Sequence, residues 1–258
     1  MKRRITKLTL LAVGILMTGA FAFAGEIGKV TAIEGKVDIL QPGQSEARPA
    51  EEGAIISVGD FVRTKSASKA EITFADNTVL KLAEKTRVEI KDYQLDAQGK
   101  RIAAVLNIER GKIRATVSKS AAKDNFIINT PNASGSVKGT DLFVIYQKSS
   151  TGVVVLDGKV SVANTLLSEK PVDVAAGDAT LVSADQPPIA PRALLAMERK
   201  GHETDTQIAK AKEEKPLSAE GYSKPEDMTA IVVKVSGSAR IRSRGALTWH
   251  DAKINEVL

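Results

Sequence analysis

The glycine-rich stretch from Gly135 to Thr140 reads GSVKGT, which contains the residue types of a phosphate-binding loop. A Walker-type loop needs a glycine, four residues and then Gly-Lys followed by Ser or Thr, so that backbone N–H groups surround the phosphates where a helix begins. Here Lys138 precedes the second glycine, and the apolar run Leu142 to Tyr146 that follows is typical of a strand. We therefore do not expect this stretch to bind a nucleotide.

The remaining side chains with catalytic or metal-binding chemistry are few. The chain has two histidines, His202 and His250, and no cysteine, so it lacks the three nitrogen or sulfur ligands that a catalytic zinc usually takes. No HExxH or Gly-x-Ser-x-Gly pattern is present, and both histidines are expected to be polar surface residues. Asp60 and Glu71 are expected on a solvated strand face, although acids that act as a pair in glycoside hydrolysis meet only in the fold. The sequence predicts no catalytic residue, no metal and no cofactor.

The first residues carry the pattern of an export signal. An apolar run from Leu8 to Phe23 follows four cations, which are Lys2, Arg3, Arg4 and Lys7. The run ends at Ala22-Phe23-Ala24, which has the small-residue pattern of a cleavage site. The run is shorter than the roughly 20 residues of a spanning helix, which is the alternative. We predict a signal peptide at 1–24 with cleavage after Ala24, and hence a periplasmic or secreted protein without a membrane span after cleavage.

Charge after cleavage speaks against a nucleic-acid partner. The full chain has 37 Lys and Arg against 31 Asp and Glu, and four of those cations belong to the predicted signal peptide. The mature protein would therefore be close to neutral. Aromatic residues make up only 4% of the chain, too few for the stacking platforms that bind single strands.

From Glu26 to about Ala184 the sequence repeats short alternating strands punctuated by Gly, Asp or Asn. Three segments have the alternation and central turn residues of β-hairpins: EITFADNTVLKL around Asp76-Asn77, NIERGKIRATV around Arg110-Gly111, and GVVVLDGKVSVAN around Asp157-Gly158. Strands at such regular spacing without a helical pattern predict an all-β domain.

The order of these segments resembles the periplasmic FecR domain, which is named for the iron-dicitrate transmembrane regulator and occurs in many secreted bacterial proteins. The resemblance covers about the first 185 residues. It depends on the following segments, in this order: GKVDIL, AEEGAIISVGDFVRT, KAEITFADNTVLKLAEKTRVEI, IERGKIRATV, FIINTP, VKGTDLFVIY, VVVLDGKVSV and VAAGDATLV. One departure is Asp76-Asn77, where the family usually has Asp-Gly, although Asn also tolerates the left-handed conformation. The motif residues that the resemblance assigns to structure are Gly59, Asp60, Thr64, Gly111, Thr130, Pro131, Gly139, Thr140, Gly158 and Gly177. It implies a β-solenoid or roll, with a β-sandwich as the alternative.

The resemblance also gives the GSVKGT stretch a structural interpretation. In this family the Thr-Pro and Gly-Thr steps bracket a turn between two strands, where Pro131 ends ladder pairing and Gly139 permits a bulge or a close backbone approach. The functional alternative is a polar ligand loop made of Ser134, Ser136, Lys138 and Thr140, because loops commonly carry binding sites.

The pattern changes after Ala184. Residues 186–227 read as a linker with short helices, with helix formers at 192–200 and 206–214, and with Leu194, Leu195 and Met197 as the side chains that would lie on the β domain. Residues 230–258 align without a gap on residues 28–56, which predicts that 228–258 is a short extra β segment, the first strands of a second copy. The domains are therefore expected at 1–24, 25–185, 186–227 and 228–258.

These features predict a non-catalytic binding or interaction module of the cell envelope, with an envelope protein or glycan as partner and weak self-association through 230–258. The alternative is FecR-type signalling, in which the namesake regulators relay transporter occupancy to a cytoplasmic sigma factor. Because only seven residues precede the apolar run, such signalling is expected to need a partner protein. A second alternative is an envelope-glycan hydrolase, for which no acid/base constellation is recognisable.

Overall fold

The structure is a computed structural model that describes residues 26–119, 126–168 and 170–208, together with two short strands at 240–241 and 250–251. The chain divides into two compact units, Met1–Ala209 and Lys210–Leu258. The predicted signal peptide lies outside the described residues, as does most of the predicted repeat at 228–258. In the second unit, Arg240–Ile241 pairs antiparallel with His250–Asp251.

The described residues of the first unit are mostly in strands, which confirms the all-β class. In chain order they are β1 (Gly28–Glu34), β2 (Val37–Leu40), β3 (Arg48–Pro49), β4 (Ile55–Ile56), β5 (Phe61–Thr64), β6 (Lys69–Phe74), β7 (Val79–Leu82), β8 (Arg87–Leu95), β9 (Arg101–Thr116), β10 (Phe126–Asn129), β11 (Ala133–Val137), β12 (Asp141–Gln147), β13 (Ser150–Asp157), β14 (Lys159–Asn164), β15 (Val172–Ala175), β16 (Asp178–Ser183) and β17 (Arg192–Ala193). A single helix among the described residues, α1 (Ala196–Thr206), follows them.

The strand pairings form two ladders that share the long strand β9. Ladder A runs β4-β1-β6-β7-β9-β12-β13-β16-β17 and uses residues 111–116 of β9. Ladder B runs β3-β2-β5-β8-β9-β10-β11-β14-β15 and uses residues 101–110. Only β9 and β10 pair in parallel among the described strands. The end strands of each ladder do not pair with one another, so the sheet is open.

One face of every long strand is apolar and turns toward a common core. A single buried cluster takes residues from both ladders, for example Ile72 and Leu80 of ladder A and Val88 and Leu106 of ladder B. The core therefore lies between the ladders. Ladder A also buries a smaller cluster on its opposite face, made of Phe143, Val154 and Ala179.

The chain passes repeatedly from one ladder to the other, and every described connection that does so contains a residue with positive φ. These residues are Gly35, Gly53, Gly59, Ala67, Lys85, Gly111, Gly139, Gly158 and Gly177. Left-handed backbone reverses the chain within a few residues, and glycine adopts it without the strain that a Cβ causes. The glycine motifs of the sequence are therefore the corners at which the chain changes ladder.

The predicted hairpins have mixed outcomes. The hairpin at Asp76-Asn77 is confirmed, with β6 and β7 antiparallel and Asn77 at φ +64°. The hairpin at Arg110-Gly111 is wrong, because β9 continues through Gly111 and only changes ladder there. The hairpin at Asp157-Gly158 is also wrong, since β13 pairs in ladder A and β14 in ladder B.

The described part of the predicted helical linker, residues 186–208, contains one helix, which lies on the β strands. Helix α1 runs from Ala196 to Thr206 and includes Gly201, so it continues across the gap between the helix formers at 192–200 and 206–214. The expectation that Leu195 and Met197 attach it is wrong, because these side chains are 60% and 82% exposed. Leu194 does pack against the smaller cluster of ladder A.

Candidate functional site

Most of the motif residues identified from the sequence have structural contacts. The Thr64 hydroxyl donates to the carbonyl of Ala83 at 2.6 Å and accepts the N–H of Thr86 at 3.0 Å, which joins two corners. The Thr130 and Thr151 hydroxyls lie 2.6 Å apart in the buried end of the core. Pro131 is exposed in the β10–β11 turn. Thr-Pro and Gly-Thr therefore bracket strand β11, not a turn as expected.

Asp60 is buried, in contrast to the solvated position predicted for it. Its side chain is inaccessible, Oδ2 accepts the N–H of Ser57 at 2.9 Å, and Oδ1 has no hydrogen-bond partner. Burial raises the pKa of this carboxyl, against the lowering effect of the Ser57 hydrogen bond and of the Arg48 charge. Glu71 is partly exposed and pairs with Lys81 at 3.2 Å. Asp60 lies in the β4–β5 connection, whereas Glu71 lies on β6 of ladder A.

The four residues of the candidate ligand loop do not all face the same way. Ser134 and Ser136 lie on the outer face of β11, and Lys138 is exposed at its end. Thr140 is buried, and its hydroxyl donates to the carbonyls of Lys138 and Lys159 at 3.1 Å each. The Thr140 hydroxyl therefore stabilises the β11–β12 connection. Of the four candidate residues, Ser134, Ser136 and Lys138 remain on the outer surface.

A buried ionic cluster that the sequence did not reveal lies at the β6–β7 turn. The side chains of Asp76 and Arg101 form an ion pair, and each is 4% exposed. Asp76 also accepts the Tyr93 hydroxyl at 2.7 Å and the Ser118 hydroxyl at 2.9 Å. Burial would raise the pKa of Asp76, but the hydrogen bonds from Tyr93, Thr78 and Ser118 together hold it below its usual value. The polar side chains of this cluster bond one another, and the cluster therefore stabilises the fold.

Helix α1 is held on the outer face of ladder A mainly by polar contacts. The Lys69 ammonium donates to the carbonyls of Thr204 and Gln207 at 3.3 and 2.7 Å, where the helix dipole favours a cation. The Lys112 ammonium lies 2.5 Å from a carboxylate oxygen of Asp205 and 3.0 Å from Nδ1 of His202. Within the helix only Thr206 is buried. The attachment therefore depends on a few charged groups.

The His202 side chain connects helix α1 to the Phe143 side chain beneath it. Its ring centroid lies 5.4 Å from that of Phe143, which is fully buried. Desolvation lowers the pKa of His202, and the Lys112 charge lowers it further, against the opposing effects of Asp205 and Glu198. The sequence expectation of a simple surface histidine is therefore incomplete. His250 lies in the second unit.

A groove borders α1 on the side of β16, and we call it the apolar groove. It has a volume of about 510 Å³, and apolar side chains contribute to its lining: Ile145, Val154, Leu181, Ile189 and Leu194. Charged groups stand around them, including Lys148 and the pair Arg192–Glu198. The hydrogen bonds from Arg192 and from the N–H of Leu195 lower the pKa of Glu198 to about 2.

A second depression borders the other end of α1, and we call it the basic cleft. It has a volume of about 680 Å³, and five cations line it: Lys69, Lys85, Arg110, Lys112 and Lys148. Three acids also line it: Glu34, Glu84 and Asp205. Gln147 and Lys148 belong to both depressions, so the apolar groove and the basic cleft adjoin at the β12–β13 turn.

Within the described ranges, no group of three or more His, Asp or Glu side chains is placed to hold a metal ion. No helix in this part of the chain has the length and apolar character needed to cross a membrane.

Comparison with known proteins identifies the domain. Residues 60–161, which include the shared strand β9 and most of the corners, match the family described as FecR protein. The resemblance to the FecR domain is therefore shown for residues 60–161 of this chain. No curated protein matches the sequence.

Two crystal structures of a proposed anti-sigma factor from Parabacteroides distasonis are similar to this chain. Their sequence identity is 20%, the TM-scores are 0.45 and 0.44, and the match covers 54% of this chain. It spans 62% of the solved chain, which is less than two thirds of that protein.

Proposed function

We propose that this protein is a non-catalytic binding module of the cell envelope, and that the apolar groove receives an extended segment of a partner protein. The observation that carries the proposal is the exposure of large apolar side chains along one depression. Leu181 and Ile189 are 42% and 44% exposed there, whereas the core strands bury nearly all of theirs. A partner side chain placed on them would remove this surface from water.

The surroundings of the groove favour a partner with apolar and acidic side chains. Glu198, the acid at the groove, is already paired with Arg192 through two hydrogen bonds of 3.0 and 2.6 Å. Lys148 forms no hydrogen bond or ion pair with a described side chain and is exposed. The groove therefore presents apolar contacts and an uncompensated positive charge, which attracts acidic segments and disfavours basic ones.

The test uses a fluorescent peptide of about eight residues in which leucine and serine alternate, long enough to extend along the groove. The Leu181→Asp variant of the mature protein should bind it at least about tenfold more weakly, because a charge then lies on the apolar lining. Leu166→Asp is the matched control, since Leu166 is 58% exposed and does not line the groove. Equal affinity of the two variants would contradict the proposal.

A second candidate function is FecR-type signalling through a partner, and the family match at residues 60–161 favours it. If the protein acts in signalling, replacing the chromosomal gene by the Leu181→Asp variant should change transcription in the same direction as deleting the gene. A transcriptome that responds to the deletion but not to this variant would mean that signalling uses another surface. An unchanged transcriptome in both strains would exclude the signalling role.

The proposed location is the periplasm or the exterior of the cell, which the export pattern of residues 1–24 supports. The protein purified from its native host should have an intact mass that begins at Gly25. A mass that includes Met1, in a protein that fractionates with membranes, would show that the apolar run is an anchor.

We also propose that the fold is a β-solenoid or roll, because left-handed corners carry the chain from ladder to ladder along most of its length. A sandwich would more commonly keep consecutive strands in one sheet over longer stretches.

A further inference from the structure

The basic cleft contains more cationic side chains than the fold uses. Lys69 and Lys112 are occupied with the carboxyl end of α1. Lys85 has only a 4.0 Å contact to Glu84, and both of these side chains are more than half exposed. Arg110 and Lys148 form no side-chain hydrogen bond or ion pair within the described part of the chain. The side chains of Lys85, Arg110 and Lys148 therefore line the cleft and contribute little to holding the fold together.

The acids of the cleft, in contrast, are engaged. Glu84 accepts the N–H of Ala67 at 2.7 Å, Asp205 pairs with Lys112, and Glu34 lies 3.9 Å from Lys69. Five cations against three acids leave an excess of positive charge in the basic cleft. Such an excess raises the rate and affinity with which acidic partners bind.

The backbone under two of these cations is of a kind that non-glycine residues rarely adopt. Lys85 has φ +53°, and Lys148 and Ser149 have φ +50° and +61° at the two centres of the β12–β13 turn. A two-residue turn of this type favours Asn-Gly, so Lys148-Ser149 is a costly choice for the fold. Unfavourable backbone of this kind is often retained where the side chain has a function.

Lys148 lies where the basic cleft adjoins the apolar groove. A segment that crosses Lys148 would place its apolar residues against Leu181 and Ile189 and its next residues among Lys85, Arg110 and Lys148. Because both depressions are open, and because the cations come from three separate segments of the chain, an extended chain fits this surface better than one small anion. We infer that the basic cleft binds an acidic stretch of the same partner segment whose apolar stretch occupies the groove.

This inference rests on the proposed function, and the test separates the two. Three fluorescent peptides of about twelve residues are used with the mature protein: one with alternating Leu and Ser, one with alternating Glu and Ser, and one in which a Leu half is followed by a Glu half. Anisotropy titrations at about 50 and 500 mM NaCl give their affinities. The joined peptide should bind at least about tenfold more tightly than the Leu peptide at low salt, and most of this gain should disappear at high salt.

Three variants locate the acidic half. Lys148→Asn and the double variant Lys85→Glu/Arg110→Glu should each weaken the joined peptide by about tenfold. The double variant should also leave the Leu peptide within about twofold, because Lys85 and Arg110 line the basic cleft and not the apolar groove. Lys148→Asn keeps the turn favourable, because Asn tolerates left-handed backbone, so a loss of binding with an unchanged melting temperature cannot be attributed to unfolding. Lys100→Glu is the control, since this exposed lysine lies at the far end of β9, about 30 Å along the strand from Arg110.

The outcomes distinguish the two hypotheses. If the Leu peptide binds in the groove but the Glu half adds nothing, the inference about the cleft is wrong and the proposed function stands. If Lys100→Glu weakens the joined peptide as much as the cleft variants do, the attraction is unspecific and the inference is again wrong. If none of the three peptides binds, both the proposed function and the inference are wrong.

Discussion

The buried pair of Asp76 and Arg101 shows how single residues fix this fold. Arg101 also lies 4.9 Å from the centre of the Phe126 ring, so its guanidinium contacts an aromatic face as well as a carboxylate. Because both charges are almost fully removed from water, loss of either one would leave the other buried without a compensating charge and would destabilise the fold. The cluster joins the β6–β7 turn to the start of β9 and to Ser118 after its end.

We predict that Asp76→Asn lowers the free energy of unfolding by about 3–5 kcal/mol, because Arg101 then remains buried without a compensating charge. The lowered pKa of Asp76 means that the ionised carboxylate stabilises the folded state above the unfolded pKa of about 4, and that this contribution is lost as the pH falls through the lower folded value. Urea titrations from pH 3 to 7 should therefore show the difference between parent and variant shrinking at the acid end. The double variant Asp76→Asn/Arg101→Met should recover part of the loss, and a strictly additive loss would contradict the pairing.

Gly139 provides a second test at the residue scale. It has φ +54°, and a Cβ at this position would lie 2.6 Å from Cγ and 3.3 Å from Cα of Lys119. Gly139→Val should lower the free energy of unfolding by about 1–3 kcal/mol, and Lys138→Ala should change it little because that side chain is exposed. Gly177→Val is the matched control, since Gly177 also has positive φ but no atom within 4 Å of the added Cβ. Equal losses at Gly139 and Gly177 would mean that the contact with Lys119 is unimportant.

At the scale of elements, strand β9 shows where prediction from sequence ends. Ala104, Leu106 and Ile108 are buried, and so are Ile113 and Ala115, so the buried positions change from even to odd at Gly111. This phase change fits a hairpin as well as a corner between ladders, because both need positive φ at one residue. Only the pairing of residues 111–116 with β7 and β12 decides between them, and neither of these strands is next to β9 in chain order.

The same limit explains which parts of the site were predictable. The strands were predictable from the local alternation of apolar and polar residues. The motif glycines at the corners were predictable from the order of segments shared with the FecR family. The Asp76–Arg101 pair and the attachment of α1 through Lys112 and His202 join residues that are 25 and 90 positions apart, and no local pattern signals such contacts.

Helix α1 should be sensitive to pH through His202. Because desolvation and Lys112 lower the pKa of this histidine in the docked state, docking is stable above the unfolded pKa of about 6.5 and weakens as the pH falls through that value toward the lower one. The charged groups around the ring are Lys112, Asp205, Glu198 and, at the groove, Arg192 and Lys148. Hydrogen exchange of the α1 amides, corrected for the intrinsic rate, should therefore be faster at pH 5 than at pH 7.5. His202→Gln should abolish most of this difference, and a variant that retains it would assign the effect to another group.

At the scale of the whole molecule, binding and stability use different faces of ladder A. The inner face contributes to the core shared with ladder B, whereas the outer face carries the small cluster of Phe143, Val154 and Ala179, the helix and the two depressions. The outer face can therefore change its contacts without disturbing the core. This separation suits a module that must remain folded whether or not a partner is bound.

The last prediction concerns residues 228–258, which we propose to be the first strands of a second FecR-like copy. Every described core residue lies between Ile27 and Ile208, so truncation after Glu226 should change the melting temperature by no more than about 3 °C, the equivalent of about 1 kcal/mol. Because short two-stranded ladders are marginal alone and their open edges pair with other chains, the same truncation should lower any dimer fraction seen in sedimentation. Truncation after Pro191 is the contrasting variant, since it also removes β17 and α1 and uncovers Phe143, and it should lower the melting temperature clearly. A comparable loss from the shorter truncation would show that residues 227–258 contribute to the fold of the first unit.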